Sequence, residues 1–140
     1  MYKAQKGFTL IELVVVIVLL GILGVTALGK FQDLSADAQE AANSGVASEL
    51  SSASSINYAA RVLDPTVAVD LSADGITCAS LVDGSATSLL AVALPVTKYT
   101  VTGTGNCATG GPGSTFTCDI EEIPAVAGIV NGTAAVICTP

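Results

Sequence analysis

Residues 8–28 read FTLIELVVVIVLLGILGVTAL, an apolar run of 21 with one charge, Glu12. As a helix at ~1.5 Å per residue it spans ~31 Å, about the thickness of a bilayer's hydrocarbon core. The stretch before it, MYKAQKG, is short and basic. Lys3 and Lys6 put the N-terminus on the cytoplasmic side, where the flanks of spanning segments carry excess cations. An ordinary secretory signal has a shorter apolar region ending in a small-residue cleavage site. Here the run is too long and the helical pattern continues past it. A plain anchor fits the length but gives no reason for Glu12. A carboxylate in a spanning segment costs roughly 2–3.5 kcal/mol near the centre, less near an edge, and usually has a partner.

Beyond Lys30 the composition changes. In residues 31–63, Phe31, Leu34, Ala38, Ala41, Gly45, Val46, Leu50, Ala53, Asn57, Ala60 and Leu63 recur at spacings of mainly three and four, with Asp33, Asp37, Glu40 and Glu49 off that stripe. No Pro occurs before Pro65. The pattern predicts one helix from about residue 8 to 62, ~80 Å long. Its first half is greasy all round, and its second half has one apolar face to pack on a globular head. Asp64-Pro65 ends it, because Pro disfavours helical geometry in the residue before it. Residues 64–77 read as a loop with short extended pieces, and 79–91 as holding a short helix. Strands are expected at 97–102, 115–120, 125–130 and 133–138, with a turn cluster at 103–114. Asn131-Gly132 between two apolar runs is a hairpin signal. The fold class expected is α+β: a long N-terminal helix packed on a four-stranded antiparallel sheet.

The chain has 140 residues, 51% of them hydrophobic, and a net charge of −7. Its mean hydropathy is +0.68 and its pI about 4.1. A cut after Gly7 removes Lys3 and Lys6, leaving three basic against twelve acidic residues. Such a surface repels phosphate backbones, so no direct nucleic-acid binding is expected. There is no His, which excludes a histidine-based catalytic or zinc site. No Ser, Cys or carboxylate pair stands in a catalytic arrangement, and the chain is read as non-enzymatic, with no cofactor. Cys78, Cys107, Cys118 and Cys138 form no C-x-x-C pair. An even count behind a membrane segment reads as disulfides in an oxidising compartment, in one of three connectivities. Asp70, Asp74, Asp119, Glu121 and Glu122 lack the ligand spacing of a calcium loop and read as solvated carboxylates, so no metal site is expected. Asn131-Gly132-Thr133 fits a glycosylation acceptor, but reads as a turn.

The stretch Lys6-Gly7-Phe8-Thr9-Leu10-Ile11-Glu12-Leu13 resembles the processing motif of type IV pilins and pseudopilins, and VVVIVLLGILGVTALGKFQDL resembles their polymerisation segment. The resemblance is close over residues 6–34. The short leader and the head are similar to pilins of the mannose-sensitive haemagglutinin type. The resemblance implies a leader at 1–7, a transmembrane and polymerisation half of the helix at 8–29, and a head at 30–140. It implies that a prepilin peptidase cuts between Gly7 and Phe8, that the new amine of Phe8 is methylated, and that Glu12 recruits a subunit by pairing with a neighbour's Phe8 amine. A carboxylate in apolar surroundings is costly alone, and an incoming cation is the partner it needs. Gly21, Gly24 and Gly29 permit close helix contact and also weaken the helix. In assembled pilins a segment here is often locally melted near a Pro, where this chain has Gly29.

The resemblance also suggests Cys78–Cys107 with Cys118–Cys138, the second closing a C-terminal loop. The rival is Cys107–Cys118 with Cys78–Cys138. The function implied is that of a major structural subunit of a type IV pilus, for attachment and motility. Its partners are further copies of itself, the peptidase and the pilus assembly machinery. It would sit in the inner membrane as a single-pass precursor and then in an extracellular filament. The alternatives are a pseudopilin of a type II secretion or competence system, and a single-pass periplasmic binding module.

Overall fold

A computed structural model of the chain describes residues 7–125 and 128–140. The chain divides by its internal contacts into Met1–Ala36 and Asp37–Pro140. One helix, α1, Leu10–Leu63, runs through both. It passes unbroken through Gly21, Gly24 and Gly29, where an added β-carbon would meet open space. Asp64-Pro65 follows its last residue, as the proline rule requires.

In the first unit every large apolar side chain from Phe8 to Leu34 is exposed. An 18-residue window here has a mean hydropathy of 2.8 and buries nothing within the chain, so the helix is long and apolar enough to cross a membrane.

The second unit has a core, to which the helix, the loops and five antiparallel strands all contribute. The strands are β1 (Asp74–Thr77), β2 (Tyr99–Thr102), β3 (Thr104–Asn106), β4 (Thr115–Glu122) and β5 (Gly132–Ile137). They form a three-stranded sheet in the order β2-β4-β5 and a two-stranded sheet β1-β3. The expected α+β class is what is seen, with its strands shared between two sheets. Across β4 and β5 the inward pairs are Phe116 with Val136, Cys118 with Ala134, and Ile120 with Gly132. Leu50 of the helix, Leu71, Leu81, Ile120 and Val136 close the core at 0% exposure.

The helix meets β5 through small and polar side chains. Its buried face is Asn43, Ala47, Leu50, Ser54 and Asn57, at spacings of four and three. β5 is an edge strand, whose outer N–H groups need acceptors. The helix supplies them: Ala135 N–H donates to Ser51 Oγ at 3.0 Å, and Ile137 N–H to Ser54 Oγ at 2.7 Å. At the start of β5 the two backbones nearly touch. A β-carbon on Gly132 would run into the Asn43 carbonyl and lie 3.1 Å from the Ala47 β-carbon. The expected stripe is therefore only half right. Leu50 and Asn57 face inward, but Ala38, Ala41, Gly45 and Leu63 face out.

The end of the helix pins the following loop. Asn57 grips Val69 at both backbone atoms, donating at 2.9 Å and accepting at 2.8 Å. Arg61 donates to the Pro65 and Ala68 carbonyls and pairs with Asp70 at 2.7 Å.

Several expectations need correction. In 79–91 the helix is a single 3-10 turn, Cys78–Leu81, and a one-turn helix α2, Cys107–Gly110, sits in the glycine-rich cluster. The strand expected at 125–130 falls partly on 126–127, outside the described residues; 128–130 are turn and irregular backbone. Asn131-Gly132 is thus no hairpin turn: β5 pairs directly with β4, across the longer connection 123–131.

The disulfides are Cys78–Cys118 and Cys107–Cys138, with Cα separations of 5.6 and 5.4 Å. Both expected pairings are overturned, and strand register gives the reason. Cys118 lies opposite Ala134. Cys138 is four residues further along, roughly 13 Å away, when a bridge needs Cα atoms within about 7 Å. Likewise Cys78 N–H bonds the Gly103 carbonyl, while Cys107 lies at the other end of the β1-β3 ladder, beyond the Asp74–Asn106 pair.

Candidate assembly site

The residues singled out for processing and assembly lie at and just before the start of α1. Gly7 and Phe8 precede the helix and are exposed. Thr9 caps it. Its hydroxyl accepts from Glu12 N–H at 3.3 Å, and Glu12 Oε2 in turn accepts from Thr9 N–H at 2.8 Å and from the Thr9 hydroxyl at 2.7 Å. This reciprocal exchange is a capping box, and it satisfies N–H groups that a helix start leaves orphaned. Phe8, Ile11, Glu12, Val15 and Val16 line one shallow apolar recess of about 340 Å³. Glu12 thus combines three properties: it is the lone charge of residues 8–28, it stands in an apolar setting, and it lies within one turn of Gly7 and Phe8. Thr9 was missed in the sequence, although Thr-x-x-Glu before an apolar run is the signature of such a cap.

In the second unit, α1 carries a row of mostly small residues on its side turned away from the sheet. Ala38, Ala41, Gly45, Ser48, Ser52, Ala59 and Leu63 recur there at spacings of three, four and seven, all exposed. Small residues in such a row let another helix approach closely. Of the five acidic residues singled out in the sequence, Asp70, Asp74, Asp119 and Glu122 have local partners, while the Glu121 side chain makes no hydrogen bond or ion pair among the described residues. Asp70 is held below its ordinary 3.8 by bonds from Ser72, with Arg61 adding to the effect. Asp74 accepts from Ala108 N–H at 2.8 Å, Asp119 from the Thr133 hydroxyl at 3.4 Å, and Glu122 lies 3.6 Å from Lys98. Among the described residues, no group of three or more His, Cys, Asp or Glu is placed to hold a metal ion. The four Cys are all bridged and nearly fully buried.

Residues 2–28 match the family described as the prokaryotic N-terminal methylation motif. A fimbrial protein of Pseudomonas aeruginosa is 38% identical over 93 residues, covering 64% of this chain and 60% of that protein. A fimbrial protein of Moraxella nonliquefaciens is 60% identical over 37 residues, 26% of this chain and 24% of the relative. The fimbrial protein EcpB of Eikenella corrodens is 62% identical over 39 residues, 28% and 24% respectively. The chain thus spans about 60% of the length of its Pseudomonas relative and a quarter of the other two. No solved structure matches it. The chain combines an N-terminal methylation motif, a helix long and apolar enough to cross a membrane, and an α+β second unit. With its fimbrial relatives, this chain is similar to type IV pilin precursors, most closely over its N-terminal segment.

Proposed function

We propose that the chain is a major structural subunit of a type IV pilus. It is made as a single-pass precursor with its N-terminus in the cytoplasm, and a prepilin peptidase cuts it between Gly7 and Phe8. Residues 8–29 hold it in the inner membrane and then form the filament core, while 30–140 form the head. The amine of Phe8, methylated after the cut, pairs with Glu12 of a neighbouring copy. The filament serves attachment and motility through the assembly machinery.

The observation that carries this reading is the exposed apolar sheath of α1. Every large side chain from Phe8 to Leu34 is solvent-facing in the single chain, and Glu12 is the lone charge of residues 8–28. Lipid covers such a surface before assembly. Parallel copies of the helix cover it afterwards, gaining dispersion contacts along their length. The small-residue outer face of the head's helix supports the same bundling. A carboxylate–amine pair in this setting fixes axial register as well as contributing attraction. The fimbrial relatives favour a pilus over the pseudopilin alternative.

Glu12→Leu tests the reading. The variant is expected to insert and be cut normally but to give few fibres when surface material is sheared and imaged. Fibres at the wild-type level would refute the pairing role.

A further inference from the structure

We infer that Thr9 is a positioning residue for assembly: it holds the Glu12 carboxylate by one oxygen and leaves the other for the amine of an incoming copy. The inference rests on the assembly role proposed for Glu12. Both Thr9 donors converge on Oε2, at 2.8 and 2.7 Å. Among the described residues, Oε1 accepts no hydrogen bond. The Thr9 hydroxyl is itself held at both ends, since it donates to Oε2 and accepts from Glu12 N–H at 3.3 Å. The carboxylate is therefore oriented by two bonds, and a third holds the hydroxyl that makes one of them.

A free glutamate has three side-chain torsions to fix before it meets a partner. Here that ordering is complete in the single chain, which lowers the cost of the encounter. The recess of Phe8, Ile11, Val15 and Val16 offers no polar group that would hold the carboxylate instead. A half-satisfied carboxylate is also tolerable in lipid, while its open oxygen keeps the drive to find a cation. The hydroxyl is the specific requirement: Ser supplies it, whereas Val matches the shape of Thr without it.

The experiment uses the full chain in cells carrying the assembly machinery. Fibre yield is measured against the pool of cut subunit in the membrane. Thr9→Val should lower that ratio roughly fivefold or more, the scale of losing one helix-cap hydroxyl. Thr9→Ser should restore it. Thr9→Val added to Glu12→Gln should lower the residual yield no further, because there is then no carboxylate to position. A wild-type ratio for Thr9→Val would overturn the inference, as would failure of Thr9→Ser to rescue, or a further loss in the double variant. Failure of Thr9→Val to be cut would place Thr9 in processing and overturn it too. If Glu12→Gln alone gives wild-type fibres, the reading of Glu12 itself falls. If Glu12→Gln loses fibres while Thr9→Val keeps them, only the role of Thr9 falls.

Discussion

Replacing Ser54 with Ala removes one oxygen from the seam between α1 and β5. Ser54 is 0% exposed, and its Oγ accepts from Ile137 N–H at 2.7 Å. In the variant that N–H faces a dry helix surface with no acceptor. An orphaned buried backbone donor costs about 1–3 kcal/mol. For a head of this size each kcal/mol moves the melting temperature by about 4 °C or more, so a loss of about 8 °C is expected from the middle of that range. Ser51 is the built-in control. It makes the same kind of bond, to Ala135 N–H at 3.0 Å, but in a solvent-exposed position. Water replaces its hydroxyl, and Ser51→Ala should cost no more than about 0.5 kcal/mol. The assay is thermal and urea unfolding of the detergent-solubilised chain, followed through the tyrosine signal, with amide exchange at Ile137 as the local readout. A Ser54→Ala variant within about 0.5 kcal/mol of wild type would refute the reasoning, as would a larger loss from Ser51→Ala.

Gly132→Ala should destabilise the head by about 3 kcal/mol, because the added methyl meets the backbone of Asn43, which cannot swing aside. Gly45→Ala, on an open helix face, should instead stabilise the single chain by roughly 0.5–1 kcal/mol. Denaturant titration of both in detergent checks the contrast, and equal effects would contradict it. Acid should weaken the head through Asp64, Asp70 and Asp83, each held below its ordinary 3.8 by bonds from Thr66, Ser72 and Ser85 respectively. Because the folded values are depressed, their contribution is fully present above about pH 4 and fades as pH falls further. Asp70→Asn should flatten the acid limb of a melting-temperature profile taken from pH 7 to 2; an unchanged limb would refute Asp70's part in it.

The sequence made the long helix plain, because an unbroken apolar run and the absence of Pro before Pro65 leave no other reading. Which side of its second half faces the core was not legible from hydropathy. Two rows of small residues lie on opposite sides, and the inward one carries Ser54 and Asn57 because a strand edge and a loop need hydrogen-bond partners there. A stripe drawn by apolarity alone slides from the outer row onto the inner one near Gly45. Gly132 was taken for half of a turn, but its lack of a side chain serves the close passage of the helix. The short strands β1 and β3 are Gly-bearing pieces of three and four residues, too brief to show alternation. Disulfide pairing depends on register between strands, and no spacing along the chain encodes that. At the candidate site, Glu12 stood out as the lone charge of an apolar run, and Gly7 and Phe8 through their resemblance to the pilin processing motif. Thr9 was masked by the apolar run it opens.

The two bridges overlap along the chain: the loop from Cys78 to Cys118 begins before, and ends within, the loop from Cys107 to Cys138. A protease that severs any one peptide bond between residues 78 and 138 therefore always cuts inside at least one closed ring, and the severed pieces stay covalently joined. Side-by-side bridges would leave the stretch between Cys107 and Cys118 as a place where a single nick sheds the C-terminal portion. In the surface filament proposed above, beyond any route of repair, such a subunit would keep all of its chain after a first cut.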